Sequence, residues 1–256
     1  MTFEDPKDPL PSDPSFLSTK TIPPEDRLIF ALDVPSVEEA KRLVTTLRES
    51  VQFYKVGLEL FATGGYFELV DWLVARRKRV FADLKLFDVP ETVRGAVRAL
   101  AERPVDFLTV HAQDDAVLAA AAGAKGGIRI LAVTVLTSLD EADLARDLGV
   151  AVDVRRLVLS RARRALALGC DGVVASGREV GAIRAELGPR PIVVAPGIRP
   201  AGDRPADDQK RVVTVEEAFA SGADHVVVGR PIKNAPDPRA AAVAIQATIA
   251  GLFAAR

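Results

Sequence analysis

The chain has a single cysteine, Cys170, among 256 residues. An internal disulfide is therefore excluded, and the usage fits a reducing compartment. Cys170 follows Leu166-Ala167-Leu168-Gly169 with no activating base nearby, which reads as inert packing. No run approaches the ~18 consecutive apolar residues of a membrane-spanning helix. Met1-Thr2-Phe3-Glu4-Asp5-Pro6 has neither the basic start nor the apolar stretch of a secretory leader, so the expected location is the cytoplasm. Histidine is scarce as well: His111 and His225 are the two, and no cluster of metal ligands is evident. Nor does either charge sign dominate. Thirty-four Lys and Arg balance 35 Asp and Glu, a net charge of −1, so no polyanion-binding surface and no nucleic-acid partner are expected.

What the chain does have is apolar bulk. Hydrophobic residues make up 48% of it, enough for a large core. Residues 1–26 differ, with six prolines and several acids, and are expected to form a flexible extension ahead of a single domain at 27–256. From Leu28 onward, short β-rich runs alternate with helical patterns. The runs are Leu28–Leu32, Phe53–Val56, Val80–Leu84, Phe107–Val110, Ile128–Leu136, Gly172–Ala175, Ile192–Ala195 and His225–Val228. The helical patterns cover Val37–Leu47, Tyr66–Arg77, Pro90–Ala101, Ala116–Ala122, Val154–Leu168, Glu179–Leu187, Val215–Ala220 and Ala240–Phe253. Ser36-Val37-Glu38-Glu39 reads as a capping box for the first helix. Continuously apolar strands alternating with helices argue for a parallel sheet buried on both faces. Eight such units predict a (β/α)8 TIM barrel rather than an open doubly wound sheet.

Barrels of this kind place their chemistry at the C-terminal ends of the strands. Those ends carry Asp33, Lys55, Asp83 with Lys85, His111, Thr137, Ser176, Pro196-Gly197-Ile198-Arg199 and Gly229-Arg230. Asp83 and Lys85 share a face because a strand's side chains repeat every second residue. Opposite charges on a buried strand are costly unless paired or used. Lys55, inside Phe53-Tyr54-Lys55-Val56-Gly57, needs a carboxylate partner or a lowered pKa. Asp33 has a carboxylate to spare, since Ser36 serves the helix cap. A structural ion pair explains any one of these charges; four of them at one rim point to chemistry. An ammonium held beside carboxylates can hand a proton to a carbanion and strain a negative substrate group. At the eighth strand, Gly229 lets backbone N–H groups approach an anion and Arg230 can grip a phosphate. The loop from Pro200 to Lys210, with Gln209 near its end, is a candidate lid. His225 reads as structural, and His111 chiefly as structural support.

These segments resemble the orotidine 5′-monophosphate decarboxylase family. The likeness spans about residues 28–250. It rests on Phe30-Ala31-Leu32-Asp33, Tyr54-Lys55-Val56-Gly57, Asp83-Leu84-Lys85-Leu86-Phe87-Asp88-Val89-Pro90-Glu91-Thr92, Leu136-Thr137-Ser138, Ala195-Pro196-Gly197-Ile198-Arg199, Asp208-Gln209 and Val228-Gly229-Arg230-Pro231. The resemblance implies decarboxylation of orotidine 5′-monophosphate to UMP in pyrimidine biosynthesis, with no cofactor. It implies that Lys85 protonates C6, that Asp83 lies near the departing carboxylate, and that Asp33 and Lys55 hold the ribose and complete the charged network. Asp88 and Thr92 would reach into a neighbouring subunit's site in a homodimer. Thr137, Ser138 and Gln209 would contact the base or close over the nucleotide. Pro196, Arg199, Gly229 and Arg230 would line the phosphate end. One departure is Phe87, where many members carry His. The family's pattern says nothing of the N-terminal extension.

Three other readings compete. A metal-assisted sugar-phosphate decarboxylase or synthase shares the Asp-x-Lys-x-x-Asp core and predicts magnesium dependence. A Schiff-base aldolase would use Lys55 or Lys85 and trap with borohydride. A scaffold without activity would have no reason to keep four charges in a buried mouth.

Overall fold

The computed structural model describes residues 17–200 and 211–254. Its eight strands are β1 (Leu28–Ala31), β2 (Phe53–Gly57), β3 (Arg79–Leu86), β4 (Phe107–His111), β5 (Arg129–Val133), β6 (Gly172–Val174), β7 (Ile192–Ala195) and β8 (His225–Val228). Each pairs in parallel with the next, and β8 pairs with β1, closing the barrel. The helices on its outside are α1 (Val37–Leu47), α2 (Leu58–Phe61), α3 (Tyr66–Val74), α4 (Pro90–Ala101), α5 (Asp115–Ala124), α6 (Glu141–Leu148), α7 (Val154–Ala167), α8 (Gly177–Leu187), α9 (Val215–Ala220), α10 (Arg230–Lys233) and α11 (Pro238–Phe253). The fold is a (β/α)8 TIM barrel, as the alternating pattern predicts.

Two cores result from the two-residue period of the strands. Ile29, Ala31, Phe53, Phe81, Phe107, Leu131, Val194 and Val227 fill the barrel interior. Their neighbours Leu28, Phe30, Tyr54, Ala82 and Leu108 face outward and pack under the helices. The interior sequence then turns polar toward the C-terminal ends: Ala31 is followed by Asp33, Phe53 by Lys55, Phe81 by Asp83, and Phe107 by Thr109. Each polar group is one inward step beyond an apolar layer, so the packed centre forms the floor of the mouth.

Some sequence expectations shift in detail. Ser36 caps α1, accepting from the Glu39 N–H at 3.1 Å, but the reciprocal half of the capping box is not formed. Glu39 instead faces Arg42 at 3.7 Å, one turn along. A full box forms at α6, where Asp140 and Asp143 exchange the two bonds and Gly149 ends the helix at φ 70°. The sequence reading missed that helix, since Asp rather than Glu stands at the third position. The fifth strand ends at Val133, short of the expected Leu136, because the Thr134 N–H and hydroxyl both donate to the Val174 carbonyl and turn the chain out of the ladder.

Packing against the barrel starts before residue 27. Leu17 lies against the outer core, and Lys20 and Asp26 pair with Asp224 and Arg79 at 2.8 and 2.9 Å. The expected extension at 1–26 is thus tied down over its last ten residues; residues 1–16 lie outside the described residues. Cys170 is buried, and burial pushes its thiol up to about 12, in keeping with an inert role.

Candidate active site

A cavity of about 380 Å³ opens at the C-terminal ends of the strands, of the size small-molecule sites have. Asp33, Lys55, Asp83 and Lys85 line one side of it. Thr137 and Ser138 line another, and Pro196, Gly197, Arg199, Gly229 and Arg230 complete the wall. Residues as far apart in the chain as Asp33 and Arg230 converge because they stand at the C-terminal ends of strands in one barrel.

The charged side is a connected array. Lys55 Nζ lies 2.8 Å from Asp33 Oδ1 and 3.3 Å from Asp83 Oδ2. Lys85 Nζ lies 2.7 Å from the same Asp83 Oδ2. Burial disfavours the charge on Lys55, yet Asp83 and Asp33 outweigh it and raise its pKa above the ordinary lysine value. Burial likewise opposes the Asp83 carboxylate, and Lys55 and Lys85 outweigh it, bringing Asp83 down to about 2. Both groups are therefore charged at neutral pH. Gly57 is part of the arrangement: a Cβ there would stand 3.3 Å from Lys55 Nζ and 3.6 Å from Asp33 Oδ1, crowding the pair.

The strand carrying the pair is irregular. Ala82 is opposite Leu108 and Leu86 opposite Val110, so Asp83, Leu84 and Lys85 together face Thr109 alone. This bulge puts Lys85 at φ 47°, a left-handed conformation that a lysine seldom adopts. Backbone strain of this sort collects at functional sites. Thr109 was not singled out by the sequence reading, since an isolated Thr in an apolar strand gives no signal. Lys233 and Glu59 were missed as well; both line the cavity, and Lys233 Nζ donates to the Asp33 carbonyl at 2.6 Å.

The rest of the wall carries two arginines, Arg199 and Arg230, each beside a glycine turn or strand end. Gly197 takes φ 76°, a turn that favours glycine, and leads into Arg199. Gly229 precedes the short α10, whose first residue is Arg230. Behind this wall, Arg211 lies 2.9 Å from the buried Glu179 and donates to the Val135 and Leu136 carbonyls at 3.1 Å, next to Thr137. Neither Arg211 nor Glu179 stood out in the sequence.

Not every expected site residue reaches the cavity. Asp88 and Thr92 are exposed and outside it in this chain. Ser176 is fully buried as the cap of α8, not at the mouth. Gln209 lies outside the described residues. His111 sits beside Phe87, ring centres 5.9 Å apart, with its pKa lowered by burial and by Lys85 and Arg161. His225 is at the other end of the barrel and buried, as expected of a structural histidine. Among the described residues no group of three or more His, Cys, Asp or Glu side chains is placed to hold a metal ion, and no helix is long and apolar enough to cross a membrane.

The chain is similar to known proteins over most of its length. Residues 26–245 match the model of the orotidine 5′-phosphate decarboxylase / HUMPS family. The orotidine 5′-phosphate decarboxylase of Methylococcus capsulatus is 64% identical over 242 residues, 94% of this chain and 99% of that protein. The enzyme of the same name from Xanthomonas oryzae pv. oryzae is 55% identical over 225 residues, 88% of this chain and 92% of its own. Among solved structures, orotidine 5′-phosphate decarboxylase from Lactobacillus acidophilus superposes with a TM-score of 0.76 at 33% identity, covering 88% of this chain and 99% of that one. These named relatives are carboxy-lyases. With the barrel, its charged mouth and its relatives in agreement, the chain belongs to the orotidine 5′-phosphate decarboxylase / HUMPS family.

Proposed function

We propose that this protein decarboxylates orotidine 5′-monophosphate to UMP and CO2, with Lys85 delivering a proton to C6 of the pyrimidine. The observation that carries the proposal is the Lys55–Asp83–Lys85 array, an ammonium 2.7 Å from a carboxylate that stays ionised, across a cavity from Arg199 and Arg230. The bond from C6 to the carboxylate carbon breaks, its electron pair stays on C6, and a Lys85 N–H supplies the proton. Solvent returns that proton to Lys85. The pyrimidine ring delocalises the C6 charge poorly, so a fixed ammonium next to it stabilises the transition state without solvent reorganisation. Asp83 stands beside the substrate carboxylate and adds ground-state stress that is relieved as CO2 leaves.

The remaining roles follow position. Asp33 and Lys55 hold the ribose, Thr137 and Ser138 meet the base, and Pro196, Arg199, Gly229 and Arg230 surround the 5′-phosphate. Gln209 closes over the nucleotide. Binding energy from that remote phosphate helps assemble the charged site. The reaction calls for no cofactor, and the cytoplasm is its compartment. Asp88 and Thr92 serve the site of a second copy in a homodimer; Phe87 and Val89 beside them are 54% and 63% exposed, which suits an interface. Mixing Lys85→Ala and Asp88→Ala chains then restores activity through hybrid dimers that hold one intact site.

The direct test is the absorbance change of orotidylate on adding purified protein in EDTA. Turnover is expected. No turnover in EDTA, with activity on a sugar phosphate restored by magnesium, would replace this reading with the metal-assisted alternative.

A further inference from the structure

We propose that Thr109 is a positioning residue for the proton-donating pair, its hydroxyl holding Asp83 and Lys85 in fixed relation to one another; the proposal rests on the decarboxylase reading above. Thr109 is fully buried in β4, opposite the bulge in β3. Its Oγ1 accepts from the Lys85 backbone N–H at 2.9 Å and donates to Asp83 Oδ1 at 2.9 Å. One oxygen thus contacts both members of the pair.

A bulged strand leaves N–H groups that the neighbouring backbone no longer reaches. Here the Thr109 hydroxyl takes the Lys85 N–H and so secures the residue at its unusual φ of 47°. Because that hydroxyl's hydrogen is committed to Asp83, the acid is fixed from the side opposite Lys85. Oδ1 belongs to Thr109, and Oδ2 is left for the two ammonium groups. Without the hydroxyl, the carboxylate can rotate and the lysine backbone loses its tether. Both changes move the donor nitrogen relative to the substrate carbon, and small misplacements at a reacting centre are costly.

Asp83 faces Lys55 from β2, Lys85 on its own strand and Thr109 from β4. Asp33 on β1 reaches it through Lys55, and Tyr66 on α3 and His111 at the end of β4 feel its charge. Hydrogen bonding to the ionised form is one of the causes that hold Asp83 at about 2. Loss of the Thr109 donor alone, with every charge left in place, therefore raises the Asp83 pKa.

The test compares Thr109→Val, which keeps the shape and removes the hydroxyl, with Thr109→Ser and Thr109→Ala. A misplacement of about 1 Å at a reacting centre can cost about 100-fold in rate, so a loss of about 10–100-fold is expected here. For Thr109→Val, kcat should fall within that range while KM for orotidylate stays within about threefold, because the phosphate contacts are untouched. The Asp83 carboxyl, followed by carbon NMR, should titrate higher than in the unsubstituted protein. Thr109→Ser should recover most of kcat and Thr109→Ala should not. If Thr109→Val fails to fold, the Ser and Ala pair still isolates the hydroxyl. A Val variant with kcat within twofold of normal, or equal kcat for Ser and Ala, would overturn the proposal. The carboxyl titration needs no substrate, so it reads the hold of Thr109 on Asp83 even if the protein leaves orotidylate unchanged.

Discussion

The two ends of the barrel carry similar charges in opposite states of satisfaction. At the N-terminal end, Asp224 is completely buried, and the Lys20 ammonium, the Arg184 guanidinium and the Val193 N–H all donate to its Oδ2 at 2.8–2.9 Å. The Ser18 hydroxyl donates to Oδ1. Lys20 and Arg184 each spend a further donor on the Pro191 carbonyl at 2.8 Å. At the mouth, Lys85 carries three N–H donors, and among the described residues Asp83 alone takes one. A closed network fixes a fold, whereas a network with donors left over is ready for a ligand. The comparison predicts that substitutions at the mouth cost chemistry and that those at the base cost stability.

The largest expected effect is at Lys85. Lys85→Ala removes the proposed proton donor and a preorganised charge, and kcat should fall by about 1000-fold or more. The fold should survive, because Asp83 keeps Lys55 and Thr109 as partners. Thermal unfolding close to normal alongside lost turnover is the expected pair of readings; a tenth of normal kcat would remove Lys85 from the mechanism.

Asp224→Ala is the converse. It leaves Arg184 and Lys20 without their carboxylate, and breaking a buried ion pair costs about 3–5 kcal/mol. Urea unfolding should show that loss, while the folded fraction turns over at the normal kcat. A normal unfolding midpoint would mean that the cluster contributes nothing to stability.

Acid should separate the ends too. His225 is buried against the Phe53 and Phe107 rings, with its Nδ1–H donating to the Asp26 carbonyl at 2.8 Å. Burial lowers its pKa from 6.5 to about 4. The unfolded chain therefore binds this proton first, so stability is complete above 6.5 and is lost as pH falls toward 4. The loss amounts to about 3 kcal/mol at ~1.4 kcal/mol per unit. Asp83 acts in a lower window: its stabilising charge, present above 3.8, is lost only as pH falls toward about 2. Stability measured between pH 7 and 4 should decline, and His225→Gln should flatten that decline. An unchanged slope would assign it to other groups.

Much of this contrast can be read from the sequence, and the unread part has a physical cause. Asp83 and Lys85 stand out because charge inside an apolar strand has few explanations, and Arg230 because it follows a glycine at a strand end. The eight strands were recognisable from apolar runs between helical patterns. Thr109 is silent because its role depends on a bulge in the neighbouring strand, which a side-chain period of two cannot reveal. Asp224 is silent for a similar reason: its partners Lys20 and Arg184 are 204 and 40 residues away. Residues 17–26 looked like more of the proline-rich extension because composition records no tertiary contact.

That last point gives the smallest and most discriminating prediction. If residues 17–26 belong to the base of the barrel, a single hydroxyl there should matter to folding and to nothing else. Ser18 is 8% exposed and donates to an Asp224 oxygen that the two cations do not occupy. Ser18→Ala removes that donor and leaves Oδ1 short of a partner in a dry site, at a cost of about 1–3 kcal/mol. The cations remain on Oδ2, so the loss should be smaller than for Asp224→Ala. The mouth lies beyond the aromatic layer of Phe53, Phe81 and Phe107, so kcat and KM should not change. A variant of normal stability would return this segment to the extension. A variant with altered kcat would show that the apolar layer does not insulate one end of the barrel from the other, and the division between structural and catalytic charge would no longer hold.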